Sequence, residues 1–333
     1  MNWNQGFKAG YHACLVDPVT WKDKERFGIT DGSINKTDSG LKESADLTAI
    51  DYSHGMEKWM RIYLDAEQDG ESEHVPLFTG LTSTPEEEID GIIHRMKLQC
   101  YSVLKPVQDV MLPIGWYAEK GFVCTEIIDS LLAVTPAPVI VESGSPRLAQ
   151  HYIAEQDESN LTMIYKLLDA IGWRLRIEGN GTIHVEQKPT KETLTISAGS
   201  YGLIKPQVTK KHDAFECPNV FRAVSDSLAV TAYDNDETSE LSTASRGREV
   251  WAQETGCATT DGETLAMYAR RKLKELQKVA TELSYERTFE PSLNVTDKVR
   301  LSYPASGIEG VYTITSQSIQ LDHCGSTSEE VTA

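Results

Sequence analysis

The sequence predicts a mainly β chain of the α+β class: two similar antiparallel β-barrel domains with a small α/β domain inserted between them. Three observations carry this. Alternating apolar and polar residues dominate up to about residue 110, the spacing turns helical over 121–171, and alternation returns from Thr193, broken by one long helical pattern. The predicted boundaries are 1–110 for the first barrel, 111–190 for the α/β insertion and 191–333 for the second barrel, which carries a bracing helix over 261–281. A chain of 333 residues is long enough for two or three such cores.

In the first segment, "KWMRIYLDA" places Met60, Ile62 and Leu64 on one face and Trp59, Arg61 and Tyr63 on the other, so both faces are expected to be covered. "VPLFTGL" is a strand in which Pro76 and Gly80 mark an edge or a bulge. The acids Glu86, Glu87 and Glu88 after Pro85 read as a solvated acidic surface turn. "IIHRMKLQCYSVLK" alternates with Ile92, Met96, Leu98 and Cys100 inward. With "ACLVD", "RFGITDGSIN" and "SADLTAIDYS", about six antiparallel strands result, enough to close a small barrel.

The insertion opens with Val123, Ile127, Ile128, Leu131 and Leu132 at helical spacing, ended by "TPAP". A second helix carries Leu161, Ile164, Tyr165, Leu168 and Ile171, with Gly172 placed to cap it. Asn180-Gly181 between two alternating runs predicts a hairpin with a type I′ turn. Beyond it, "ETLTISAG", "CPNVFRAVSD" and "SLAVTAYDND" read as strands of the second barrel. A helix follows, with a stripe running through Leu265, Tyr268, Ala269, Leu273, Leu276, Val279, Ala280 and Leu283, and "KVRLSY" and "GVYTITSQSIQL" close the domain. The pair "MRIYL" and "VPLFTGLTS" resembles "VRLSY" and "GVYTITSQS" in order and pattern, as if one hairpin were used twice.

Composition excludes several classes of function. The formal net charge of −18 argues against stable wrapping of nucleic acid, which rests on cations neutralising phosphates. No apolar run is long enough for a membrane span, and the first residues, "MNWNQGFKAGYHACLVD", carry no secretion signal, so synthesis in a cytoplasm is expected. Six cysteines stand singly and read as reduced, buried thiols. The Asn-x-Ser/Thr triplets at Asn35, Asn160, Asn180 and Asn294 are set aside for want of a secretion signal.

Motifs for chemistry are weak. The eight histidines are isolated, and only His12/Cys14 and His323/Cys324 bring a histidine near a cysteine. "DNDETSE" from Asp234 lacks the glycine and terminal glutamate of a calcium loop. "EGNGTI" holds two glycines of a dinucleotide fingerprint but in a hairpin, and "ESGSPR" lacks nucleophile-elbow spacing. Phe7, Tyr11, Trp21, Trp59 and Tyr63 do not interleave with basic residues as a base-stacking platform does. Catalytic residues: none; cofactor-binding residues: none; metal ligands: none.

The order of parts resembles a known family. A β domain with "DGSINKTDSGLKESADLTAID", "KWMRIYL" and "VPLFTGL" precedes an insert with "LLDAIGWRLRIEGNGTIHVEQ". A second β domain follows, with "CPNVFRAV", "STASRGREV", "ETLAMYARRKLKELQK" and "LNVTDKVRLSY…IEGVYTITSQSIQL". Together these resemble the baseplate or tail hub proteins of tailed bacteriophages and related contractile particles, including the late-control gene D proteins. One departure stands in "LNVTDKV", where Thr296 occupies the place the family gives to glycine, which puts the turn geometry in question.

The resemblance implies a non-enzymatic homotrimer in a virion tail or baseplate, made in the host cytoplasm. Each protomer contributes two tail-tube-like barrels, so that three chains form a pseudo-sixfold ring joining a hexameric tail tube to a threefold spike or tail tip. Implied partners are the chain itself, the tail tube protein, the spike or tail-tip protein and the tape-measure protein, with only transient passage of DNA or cargo, no cofactor and no membrane insertion. A cell-wall-degrading tail enzyme is the alternative of a different class, for which the chain offers no spare domain. A carbohydrate-binding adhesin is the third.

Overall fold

A computed structural model describes residues 1–3, 6–50, 52–91, 93–197, 203–212, 214–225, 228–255, 257, 264–277, 281–322 and 325–332. Strand accounts for 49% and helix for 15% of the chain, so the fold is β-rich α+β with large antiparallel sheets, as the alternation predicts. Contacts divide it into two compact units, one of 1–208 with 284–331 and the other of 209–283 with 332–333.

The first unit begins with β1 (Lys8–Val16), β2 (Asp23–Thr37), β3 (Glu43–Ile50), β4 (Trp59–Gln68), β5 (Glu71–Thr82), β6 (Glu86–Asp90) and β7 (Ile93–Ser102). Hydrogen bonding runs β1-β4-β5-β7-β3-β2, and β2 pairs again with β1, so six strands close on themselves. Closure leaves no free edge within the ring. Inward residues follow the period of two: Ala45, Leu47 and Ala49 from β3, Met60, Ile62 and Leu64 from β4, and Leu98 and Cys100 from β7 are all buried. The outer face of β4 is covered as well, with Arg61 only 7% exposed. Ile92, expected to face inward, lies outside the described residues.

Strand β5 carries the irregularity that Pro76 and Gly80 announce. Phe78 pairs with Ile62 and Pro76 with Tyr63, leaving Leu77 as an extra residue in a bulge. Gly80 is required by close approach: a Cβ there would lie 2.2 Å from the Tyr101 carbonyl and 2.5 Å from the Phe78 ring. The three acids after Pro85 do not form a turn. They are the exposed strand β6, antiparallel to the start of β7, where Glu87 reaches His94 at 2.7 Å and Glu88 reaches Lys97 at 3.5 Å. Opposite charges on β7 favour pairing over a loop.

The insertion comprises α1 (Lys105–Asp109), β8 (Tyr117–Ala118), α2 (Cys124–Leu132), β9 (Val139–Val141), β10 (Tyr152–Ile153), α3 (Asn160–Ile171), β11 (Trp173–Ile177) and β12 (Ile183–Gln187). Ile128, Leu131 and Leu132 of α2 and Leu161, Ile164 and Leu168 of α3 meet in one core, joined by Met163 and Leu167. Helix α3 starts at Ser159, whose hydroxyl accepts from the Thr162 amide, and ends at Gly172 with φ +70°, the predicted cap. The β11–β12 hairpin turns differently from the prediction. The Gly181 amide donates to the Glu178 carbonyl at 2.7 Å, and of the tip residues only Gly181, at φ +84°, is left-handed. This is a three-residue loop with a bulge at glycine, because a type I′ turn needs positive φ at both central residues.

The rear of the chain adds β13 (Glu192–Ser197), β14 (Leu203–His212), β15 (Val220–Val224), β16 (Ala229–Tyr233), α4 (Thr243–Arg246), β17 (Trp251–Thr255), α5 (Leu265–Leu276), β18 (Thr281–Thr288), β19 (Lys298–Tyr303), β20 (Ile308–Gln320) and β21 (Ser326–Thr332). Six of these form a sheet in the order β13-β19-β20-β21-β18-β14, and β20 also pairs with β2. The hairpin read twice in the sequence occurs as β4–β5 and β19–β20, both antiparallel. Their flanks differ, since β1 runs antiparallel to β4 and β13 parallel to β19.

Strands β15 and β16, expected in the second barrel, belong instead to the second unit, where β16-β15-β17 form a three-stranded sheet. Phe221, Ala223 and Ala232 of that sheet bury Leu265, Tyr268, Ala269 and Leu273 of α5. The helix spans Leu265–Leu276, shorter than the 261–281 expected, and Leu283 sits in β18. "TELSYERT" alternates, and burial of Leu283, Tyr285 and Arg287 shows that period two prevails there. Residues 261–263 and 278–280, including Val279 and Ala280, lie outside the described residues.

Replacement Gly80→Ala is expected to lower stability by about 3 kcal/mol, the upper range for overpacking a close-packed site. Urea unfolding followed by tryptophan fluorescence reads the change, and an unchanged midpoint would contradict the packing described.

Candidate functional site

The polar chemistry of the first unit concentrates where the insertion meets the barrel. The bulge in β5 turns Thr79 and the Pro76 backbone toward the tip of the β11–β12 hairpin, and Gly179 fits there because a Cβ would lie 1.9 Å from the Pro76 carbonyl oxygen. The Thr79 hydroxyl donates to the Gly179 carbonyl at 2.7 Å. Arg61 donates from Nε to Thr79 Oγ1 at 3.0 Å, from Nη1 to Asp23 Oδ1 at 2.7 Å and from Nη2 to the Asn180 carbonyl at 3.0 Å. Trp21 Nε1 donates to the same carbonyl at 3.0 Å, and the Tyr63 hydroxyl donates to Asp23 at 2.6 Å. A guanidinium with its donors directed at fixed acceptors loses little of the hydrogen bonding it had in water.

A second arginine does the same at the other end of the hairpin. Arg174 pairs with Glu186 at 2.6 Å and with Asp297 at 2.9 Å, and its Nη1 donates to the Thr296 hydroxyl at 2.6 Å. Thr296 stands at φ +72°, so the turn keeps the left-handed backbone that suits glycine although its residue is β-branched. In the rear sheet, Arg287 donates to both oxygens of Glu329, and Gln317 adds a bond at 2.6 Å. Burial would raise the Glu329 carboxyl, but Arg287 and these hydrogen bonds hold it below the usual carboxylate range.

Glu43 is the exception. It faces into the first barrel, is 4% exposed, and has Oε1 without a hydrogen-bond partner and Lys36 at 3.8 Å. Burial pushes its pKa up to about 7, against the opposing pull of Lys36.

The cysteines and histidines are placed by packing and hydrogen bonding. Cys14, Cys100, Cys124 and Cys257 are buried and free, and burial raises the Cys100 thiol far up and the Cys124 thiol to about 11, which makes both poor nucleophiles. His12 and His74 share Asp65 at 2.7 Å and 2.5 Å, with Arg26 at 3.1 Å. His323 and Cys324 lie outside the described residues. In the second unit, Asp234 and Asp236 of the acidic loop accept from Ser239, Gln277 and Thr238. Among the described residues, no group of three or more His, Cys, Asp or Glu side chains is arranged to hold a metal, and no helix is long and apolar enough to cross a membrane.

What the insertion presents outward is apolar. Met111, Ile114, Tyr117, Phe122 and Ile153 are all more than half exposed, with Tyr117 and Ile153 paired across β8 and β10. Side chains of this size left in water are the kind of surface that assemblies cover.

No protein-family profile and no curated protein sequence matches the chain. Solved structures do. A 43 kDa tail protein of prophage MuSo2 from Shewanella oneidensis aligns with a TM-score of 0.66 at 14% identity, over 97% of this chain and 98% of that one. A tail protein from Neisseria meningitidis MC58 aligns with a TM-score of 0.69 at 13% identity, over 97% of both. A chain of the Francisella PdpA-VgrG complex aligns with a TM-score of 0.59 at 10% identity, over 98% of this chain and 58% of that one.

Two measurements test the polar sites. Arg61→Met leaves the Asn180 carbonyl and Asp23 short of partners and is expected to cost about 3 kcal/mol of stability, as breaking a buried charged network does. Loss below 1 kcal/mol would show the network to be ornamental. For Glu43, a folded pKa above the unfolded value means that the contribution is fully present below pH 4.5 and is lost as pH rises through about 7. The urea midpoint of the wild-type protein should therefore fall between pH 5 and 8 by more than that of Glu43→Gln; equal slopes would contradict a neutral buried acid. Over nearly its whole length, the chain carries the fold of the MuSo2 prophage tail protein and of the Neisseria meningitidis tail protein.

Proposed function

We propose that the protein is a structural hub of a phage-like tail or baseplate, three copies of which form a pseudo-sixfold ring between a hexameric tail tube and a threefold spike or tail tip. The single observation that carries this is the end-to-end likeness to two tail proteins, one of them from a prophage, which covers 97% of the chain and nearly all of theirs. In this reading the chain divides as 1–110, 111–190 and 191–333, and the first barrel and the rear sheet of β13, β14 and β18–β21 each supply one of the ring's six positions, with the second unit inserted in sequence between β14 and β18.

Three further features support an architectural role. Buried Arg61 and Arg174 bind the β11–β12 hairpin to neighbouring β elements and Arg287 ties β18 to β21, and a wall so tied keeps its geometry under load. The exposed apolar residues of the insertion, Ile114 and Tyr117 among them, offer a neighbour a non-polar contact. The charge of −18 suits a channel that passes DNA without holding it. The tube, spike and tape-measure proteins are the partners, the location is the virion tail, and the role is non-enzymatic.

Quantitative mass spectrometry of purified particles should find three copies per tail, and Ile114→Glu with Tyr117→Glu should yield a folded chain that no longer enters particles. Six copies, or normal incorporation of the double variant, would overturn the proposal.

A further inference from the structure

Within the first unit, the β2–β3 turn, the end of α3, the start of β11 and the turn before β19 enclose a cleft of about 510 Å³. Cations outnumber acids in its lining although the chain as a whole carries a net charge of −18. Lys42, Lys188 and Lys298 line it, with Arg174 beside them. Arg174 is already matched by Glu186 and Asp297. The lysines are not: among the described residues, none of their ammonium groups has a carboxylate within 4.0 Å. Lys42 instead donates to the Asp38 carbonyl and lies 5.5 Å from the centre of the Tyr165 ring, both uncharged partners.

Three ammonium groups set against two lining carboxylates, Asp38 and Asp169, leave an excess of positive charge that an entering anion relieves. Burial first, opposed by Asp38 and reinforced by Arg174 and Lys188, brings the Lys42 pKa down to about 8. The remaining wall is apolar and aromatic, formed by Tyr165, Leu168, Trp173 and Pro189, and Asp38 and Asp169 also line the cleft. A phosphate group brings no apolar stem of its own to lay against this wall. Separate carboxylates on a flexible chain, with apolar stem atoms to lay against the aromatic wall, match the cleft better.

We propose that this cleft binds carboxylate side chains from an acidic segment of a partner protein. The inference follows from the charge and lining of the cleft and does not rest on the tail reading, so either can fail alone. The test uses the full chain and a fluorescein-labelled hexaglutamate peptide, followed by fluorescence anisotropy at about 0.15 M ionic strength. Saturable binding is expected, weakened about tenfold by Lys188→Glu and by Lys298→Glu, and retained by Lys188→Arg. Melting curves check that each variant is folded, and Lys188→Gln, which removes the charge without reversing it, should weaken binding in the same direction. Inorganic phosphate and a twelve-residue oligothymidylate serve as competitors. Absence of saturable binding, binding indifferent to both charge reversals, or displacement of the peptide by the oligonucleotide or phosphate at lower concentration than by unlabelled peptide would overturn the proposal.

Discussion

The structure of the first unit depends on the seating of one hairpin tip against one bulge. Leu77 is the extra residue that displaces the β5 backbone, and the space beside Thr79 accepts Gly179 without a Cβ. Arg61 then reads three acceptors at once, Thr79 on its own sheet, Asp23 on the loop side and the Asn180 carbonyl from the insertion. None of these contacts is strong alone. Their value lies in the cost of removing any one, because the others remain buried and short of partners.

That constraint explains the odd composition of "VPLFTGL". A strand in the wall of a closed barrel ordinarily avoids proline and glycine, which cost a ladder hydrogen bond and a side chain. Here both serve geometry: Pro76 stands at the bulge, and Gly80 lets the Tyr101 carbonyl and the Phe78 ring pass close. The same logic holds at the other end of the hairpin, where Arg174 ties β11 to a turn that keeps its left-handed residue although that residue is Thr296. Two arginines thus fix one hairpin to two β elements.

The first barrel was legible because its signal is local. Met60, Ile62 and Leu64 alternate with polar or amphipathic neighbours, and the alternation survives folding unchanged. The caps were legible for the same reason, as Gly172 shows. The second unit was not. "CPNVFRAVSD" is a strand in either architecture, and nothing in its period says which sheet it joins. The end of α5 is ambiguous in the sequence, because Leu276, Val279, Ala280 and Leu283 fit a helical stripe while Leu283, Tyr285 and Arg287 fit a strand. Burial in β18 decided for the strand.

The polar sites were the least legible, since Arg61 and Asn180 stand 119 residues apart and only folding brings them together. A signal was present, an arginine inside an apolar strand covered on both faces, but it named no partner. The claim that the hairpin tip and the barrel wall open as one is tested most directly by native-state hydrogen exchange. The amides of Gly181 and Ile183 should exchange in step with those of the barrel core in β4, at the free energy of global unfolding. Exchange of the hairpin amides through a cheaper opening, with β4 still protected, would contradict it.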